Sequence, residues 1–127
     1  MPETSNPRHP GRLVGLARRV LARQAGQGNP ILYRQFAELL DLNPPGAISR
    51  AGEILEILIA EDHHAGKPLL SSLVVGKTGI PRTGFFRQAR KLGRYAGPDS
   101  GPEAEVFFRR ELAAAVACYG SRESGKD

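Results

Sequence analysis

The chain has 127 residues, a formal net charge of +5 and one cysteine, which together favour a single globular domain in a reducing cytoplasm. A lone cysteine excludes a disulfide framework and a zinc site built from several cysteines. The sequence has no apolar run long enough for a signal peptide or a membrane-spanning helix, so we expect no membrane partner.

The first half of the chain predicts a tail and three helices. Residues 1–10 carry three prolines and no apolar pattern, so we expect a flexible tail followed by one domain over residues 11–120. Apolar residues at helical spacing predict a first helix over residues 13–21 and a short second helix over residues 32–40. A turn at residues 43–46 leads to a third helix over residues 47–60, whose predicted buried residues are Ile48, Ala51, Ile54, Leu55 and Leu58.

The second half predicts a β-hairpin and two more helices. Residues 69–75 are apolar and rich in branched side chains, so they predict a strand, which a tight turn at residues 76–79 and a return strand at residues 80–82 complete as a hairpin. Thr83 stands where the N-cap of a fourth helix belongs, and Pro102 can open a fifth helix that reaches about residue 119. Residues 121–127 form a polar tail that we expect to be flexible.

This order of elements is typical of a winged helix. In that fold two helices form a helix-turn-helix, and the hairpin that follows is the wing that reaches the DNA backbone. We therefore predict an α+β fold that is mostly helical, with a winged-helix-like helix-turn-helix, a short β-hairpin and two further C-terminal helices.

The charged residues are unevenly distributed along the chain. Residues 1–37 hold six Arg and one acid, and residues 38–62 hold six acids and one base, Arg50. Residues 67–94 hold seven bases and no acid. So long a basic stretch forms either a solvated face or a contact surface for a polyanion, and we interpret it as a footprint for nucleic acid.

Gly76-Lys77-Thr78 matches the end of a Walker A motif, but the rest of the motif is missing. The first glycine of that motif would stand at position 71, which is Ser71, and Pro81 interrupts the helix that should begin at the lysine. We therefore predict neither a bound nucleotide nor another cofactor. The residues predicted to contact backbone phosphates are Lys77, Thr78 and Arg82 in the wing and Arg87, Arg90, Lys91 and Arg94 on the fourth helix.

The pair His63 and His64 raises the alternative of a metal site or a small nuclease. Adjacent helical residues project about 100° apart, so the two imidazoles do not readily chelate one ion. Histidine is also electrostatically favourable at the C-terminus of a helix. We predict no metal site, while a general acid-base nuclease that uses one of these histidines with Lys77 remains an alternative.

Several short motifs occur in an order that resembles a known family. The matching residues, over about residues 31–86, are Tyr33, Phe36-Ala37, Asn43-Pro44, Arg50, Pro68, Val74-Val75 and the glycine-rich loop after them. This pattern resembles the winged-helix DNA-binding domain of the alkylguanine-DNA alkyltransferases and the alkyltransferase-like proteins. In that family the tyrosine presses on the phosphate of a flipped nucleotide and the arginine fills the gap in the base stack. The resemblance therefore implies these roles for Tyr33 and Arg50.

The chain departs from that family at the reactive centre. Where the family has Pro-Cys-His-Arg, this chain has Leu70-Ser71-Ser72-Leu73. Alkyl transfer needs an activated thiolate, so we predict no alkyltransferase activity. Cys118, near the end of an alanine-rich helix, is predicted to be a small buried residue.

We conclude from the sequence that the chain is a non-catalytic nucleic-acid-binding protein, with duplex DNA as the expected partner. Ser49 and Arg50, in the first turns of the third helix, would probe a groove, while the basic wing and fourth helix would contact the backbone. The alternatives are a small nuclease or toxin that acts on nucleic acid, and a protein-interaction module whose basic face meets an acidic partner.

Overall fold

A computed structural model of the chain describes residues 11–120, and both predicted tails lie outside these described residues. The helices are α1 (Gly11–Gln27), α2 (Tyr33–Leu39), α3 (Ala47–His64), α4 (Thr83–Lys91) and α5 (Pro102–Ala115), which continues into a π-helical turn (Val116–Gly120). Two short strands, β1 (Ile31–Leu32) and β2 (Val74–Val75), pair in parallel, with Ile31 opposite Val74 and Leu32 opposite Val75. The α+β class with mostly helical content is therefore confirmed.

The predicted β-hairpin is wrong. Only Val74–Val75 of the predicted first strand is extended and paired, its partner is β1, and residues 80–82 form no strand. The preceding residues form a 3-10 helix, Leu70–Leu73. Side chains from α3 and α5 bind the backbone at the start of this helix. Asp62 Oδ2 accepts from the Leu70 amide over 3.0 Å, and Glu111 Oε1 accepts from the Leu69 amide over 3.1 Å. These amides are satisfied without a neighbouring strand.

The segment 69–75 is buried along its whole length and stands between two halves of the core. One half is formed by α1, α2 and α3, and Leu70 and Leu73 pack into it. The other half is formed around Phe85, Phe86 and Phe108 of α4 and α5, and Leu69 and Val75 pack into that one. Burial of each large apolar side chain stabilises the fold by roughly 1.5–3 kcal/mol, so this segment joins α1, α2 and α3 to α4 and α5.

An ion-pair cluster joins α1 to the end of α3. Arg18 donates to Asp62 over 2.7 Å and to Glu61 over 2.8 Å. Asp62 is only 1% exposed, and it reaches both Arg18 and the backbone of the 3-10 helix. The α3 acids at this end therefore hold the fold together, a role that the sequence pattern did not indicate.

Three local predictions about single residues are corrected by the structure. Thr83 is the first residue of α4 and Arg82 is its N-cap, without a side-chain capping bond. Ile48 was predicted to be buried but is 36% exposed, because the first turn of α3 projects past the core. Helix α3 also runs to His64 rather than ending near residue 60.

Candidate nucleic-acid interface

The loop between β2 and α4 is closed into a tight turn. The Gly76 amide donates to the Ile80 carbonyl over 2.8 Å, and the Gly79 amide donates to the Gly76 carbonyl over 3.0 Å. Gly79 has a φ of 88°, a left-handed conformation that glycine adopts without steric cost. Lys77 and Thr78 are exposed at the tip. Hydrogen bonds within the turn, rather than a hairpin, thus hold both residues in solvent.

Three cationic side chains surround a groove beside this loop. The groove has a volume of about 500 Å³ and lies between α2, the start of α3 and the loop, and its lining includes Arg34, Lys77 and Arg82. None of the three forms an ion pair with another residue in the described range 11–120. We call these three residues the loop patch. Arg34 was not among the predicted contact residues, although its place next to Tyr33 on α2 was a signal that could have included it.

Tyr33 connects α2 to the start of α4. Its side chain is buried, and the Arg82 guanidinium carbon lies 5.2 Å from the centre of its ring, within cation–π range. Burial raises the pKa of Tyr33 above the ordinary 10.0, while a hydrogen bond with the Arg82 backbone and the Arg82 charge act in the opposite direction. Tyr33 is therefore a neutral phenol at physiological pH whose ring supports the Arg82 guanidinium.

The first turn of α3 borders a second cavity. This cleft of about 420 Å³ is lined by residues of α2, α3, the 3-10 helix and α4, among them Tyr33, Ser49 and Arg82. Three of the predicted contact residues thus meet at one place. Arg50 is exposed but borders neither the groove nor the cleft, and its Nη2 donates to the Asn43 carbonyl over 3.1 Å.

Acidic side chains of α3 form part of the cleft and separate two groups of cations. Glu53 and Glu56 both line the cleft. A β-carbon added at Gly84 would lie 3.2 Å from Glu56 Oε2, so this carboxylate stands at the beginning of α4, beyond Arg82. A phosphate would be repelled at this position, which limits the approach of a polyanion to the first turn of α3.

Helix α4 carries a second basic surface, which is partly neutralised. Arg87, Arg90 and Lys91 are exposed and line a shallow cavity together with Glu56. We call these three cations the α4 patch. Arg90 is ion-paired with Asp99, and Arg87 Nε lies 3.7 Å from the same carboxylate. The α4 patch therefore presents less net positive charge than its sequence suggests.

Arg94, the fourth base predicted for this face, points into the protein. Its side chain is 19% exposed, and it binds Glu111 in a two-pronged ion pair with distances of 2.8 and 3.1 Å. It also donates to the Lys67 carbonyl over 2.9 Å and to His63 Nδ1 over 3.3 Å. This guanidinium is occupied by protein groups, because α5 supplies a carboxylate that the distribution of charge along the sequence did not reveal.

The two serines of the 3-10 helix, Ser71 and Ser72, both bind backbone carbonyls. Ser71 Oγ donates to the Leu55 carbonyl over 2.9 Å, and Ser72 Oγ donates to the Leu69 carbonyl over 2.7 Å. Both serines are buried, although Ser71 also borders the cleft. Cys118 is exposed rather than buried, because it lies on the outer side of the π-helical turn.

His63 and His64 lie in the last turn of α3. Their ring centres are 5.5 Å apart, and His63 Nδ1 faces Arg94. Within residues 11–120 no three His, Cys, Asp or Glu side chains are grouped so as to hold a metal ion. No helix of the same range combines the length and apolarity needed to cross a membrane.

The cleft and the groove share Tyr33 and Arg82, the cleft adds Ser49 and the groove adds Lys77. Arg50 and the α4 patch border neither cavity, and Arg94 is held by Glu111. Comparisons of the chain with protein-family models, with curated proteins and with solved structures found no match.

Proposed function

We propose that this chain is a non-catalytic nucleic-acid-binding protein that binds duplex DNA through the loop patch and the first turn of α3. The observation that carries this proposal is the loop patch itself, where three cations surround one groove and none is paired with a carboxylate of residues 11–120. Unpaired cations are available to displace counterions from phosphates, which is the main source of affinity for DNA.

In this proposal the fold acts as a winged helix in which a closed loop replaces the hairpin. Helices α2 and α3 with the turn between them would form the helix-turn-helix, and Lys77 and Thr78 at the loop tip would contact the backbone. Ser49 and Arg50 would enter a groove of the DNA duplex, since both are exposed on the first turn of α3. The α4 patch would add weaker contacts along the backbone.

The resemblance to alkyltransferase-like proteins extends the proposal to Tyr33. Its burial leaves only a small part of the ring for contact with a phosphate, so we assign most of its effect to the placement of Arg82. A reactive centre is not part of the proposal, because buried serines occupy the segment where the family has its thiol.

The exposed apolar residues Leu39 and Ile48 favour a second candidate, a protein-interaction module. Leu39 is 53% and Ile48 is 36% exposed, and Ile48 lines the groove with the loop patch. An acidic partner with apolar side chains would complement this surface.

Fluorescence anisotropy with labelled duplex DNA, single-stranded DNA and RNA of equal length tests the proposal. We expect the duplex to bind with a dissociation constant of about micromolar or lower at moderate salt, without cleavage in the presence or absence of Mg²⁺. Cleavage would instead support the nuclease alternative. Absence of binding to all three probes at low salt would favour the protein-interaction module.

A further inference from the structure

The groove beside the loop patch has the size and lining of a small-molecule site. Its volume of about 500 Å³ falls within the roughly 300–1,000 Å³ of ordinary ligand pockets. Apolar residues from β1, from the turn before α3 and from the start of α3 contribute its walls, namely Leu32, Leu42, Pro44, Ala47 and Ile48. Such walls favour a ligand with an apolar body.

The charged residues of the groove favour a ligand with a negative charge. Among the described residues, Arg34, Lys77 and Arg82 line the groove together with one acid, Glu38. The neighbouring cleft has the opposite balance, because its lining from residues 11–120 has two acids, Glu53 and Glu56, and one base, Arg82. An anion is therefore favoured in the groove and disfavoured in the cleft, although the two cavities share Tyr33, Ile48 and Arg82.

We propose that the groove binds a small organic anion with an apolar body, of the class of aromatic or branched aliphatic carboxylates. The apolar part would lie against Leu42, Ala47 and Ile48, where its burial supplies affinity. The carboxylate would face the loop patch, where Lys77 and the arginines donate charge-assisted hydrogen bonds. Ligand binding does not depend on the nucleic-acid proposal. Where both hold, the anion competes with DNA for the same cations and acts as an effector of DNA binding.

The test is a titration of the isotope-labelled full chain with 1-naphthoate, followed by amide NMR shifts, in the absence of DNA. Naphthalene-1-carboxamide serves as the matched neutral probe of the same shape. We expect saturable shifts centred on amides of β1, of the start of α3 and of the loop at Gly76, and binding of the carboxamide at least about tenfold weaker, because charged hydrogen bonds are lost. Equal binding of the two probes, shifts centred on the cleft near Glu53, or no saturation would overturn the proposal.

Two variants locate the site. Lys77→Gln is expected to weaken 1-naphthoate binding by roughly three- to tenfold, whereas Arg110→Gln, an exposed arginine on α5, should leave it unchanged. Ala47→Phe should block the groove, with retention of the fold judged from the dispersion of its amide spectrum. If Ala47→Phe does not fold, Arg34→Gln combined with Lys77→Gln decides the matter, and unchanged binding in that variant refutes the site. Displacement of labelled DNA by 1-naphthoate is measured separately, so failure of DNA binding leaves the ligand result intact.

Discussion

The loop patch and helix α4 have similar numbers of cations in the sequence but different surroundings in the structure. Asp99 lies beside both Arg87 and Arg90 of α4. Just after this helix, Arg94 binds Glu111. The three cations of the loop patch have no such partner among residues 11–120. A count of bases along a sequence thus overstates the charge available to a partner wherever another element supplies acids.

The largest effect is expected from breaking the ion pair between Arg94 and Glu111. Arg94→Ala should lower the free energy of unfolding by about 2–4 kcal/mol, because Glu111, whose side chain is 12% exposed, would keep a charge with only the Leu69 amide as a partner within residues 11–120. Urea denaturation measures this. Arg87→Ala is the matched control, since its side chain is 68% exposed, and it should change stability by less than about 0.5 kcal/mol. Equal effects of the two variants would contradict the assignment of Arg94 to the interior.

The next largest effect is expected from removing the charge of the loop patch. The triple variant Arg34→Gln, Lys77→Gln, Arg82→Gln should bind duplex DNA roughly a hundredfold more weakly at 0.15 M salt, if each residue contacts one phosphate. Fluorescence anisotropy on several unrelated sequences measures this, and the loss should be about equal for all of them. Unchanged affinity in a folded triple variant would contradict DNA binding by the loop patch and would favour a protein partner for this surface.

A smaller effect is expected from the same change on α4. The variant Arg87→Gln, Arg90→Gln, Lys91→Gln removes as many charges as the loop-patch variant, but Asp99 already neutralises part of this surface. We expect a three- to tenfold loss of duplex affinity, about that of one phosphate contact. The same titrations measure it, and a loss as large as that of the loop-patch variant would refute the distinction between the two surfaces.

The smallest effect concerns Tyr33 and alkaline pH. Its pKa is raised mainly by burial. The contribution of Tyr33 to the free energy of unfolding is therefore fully present below the pH at which the phenol ionises in the unfolded state. Above pH 10 the unfolded state ionises first, and the free energy of unfolding should fall as pH rises. Tyr33→Phe should remove part of this decline, by less than about 1 kcal/mol, in chemical denaturation between pH 8 and 11. The pKa of Tyr95 is also raised above its ordinary value, so only the difference between the parent and Tyr33→Phe is informative. Identical slopes would contradict the raised pKa.

The helices could be predicted from the sequence because their signals are local. Apolar spacing marks α1 and α3, the Pro-Pro-Gly turn separates α2 from α3, and Pro102 opens α5. The segment 69–75 could not be predicted, because its conformation depends on two side chains that bind its amides: Asp62, eight residues before Leu70, and Glu111, 42 residues after Leu69. Branched apolar residues indicate burial there, and burial is what the structure shows.

The candidate site divides in the same way. Lys77, Thr78 and Arg82 could be predicted as exposed or accessible, because glycines and a proline force a turn around them. Arg34 did have a signal, its place next to Tyr33 on α2. The position of Arg94 depends on the carboxylate that α5 places beside it, and the sequence gives no direct signal of that pair. The same limit applies to Glu56, which the sequence places in an acidic stretch and the structure places against Gly84 of α4.

The most direct test of the unequal roles of the two surfaces is the salt dependence of duplex binding. The logarithm of the association constant is plotted against the logarithm of the salt concentration for the parent and for the two triple variants. The change in slope in each variant gives the number of phosphate contacts that its surface makes. We predict that the slope flattens by about two to three units in the loop-patch variant and by at most about one unit in the α4 variant. Equal flattening in the two variants, or a larger change in the α4 variant, would contradict the account.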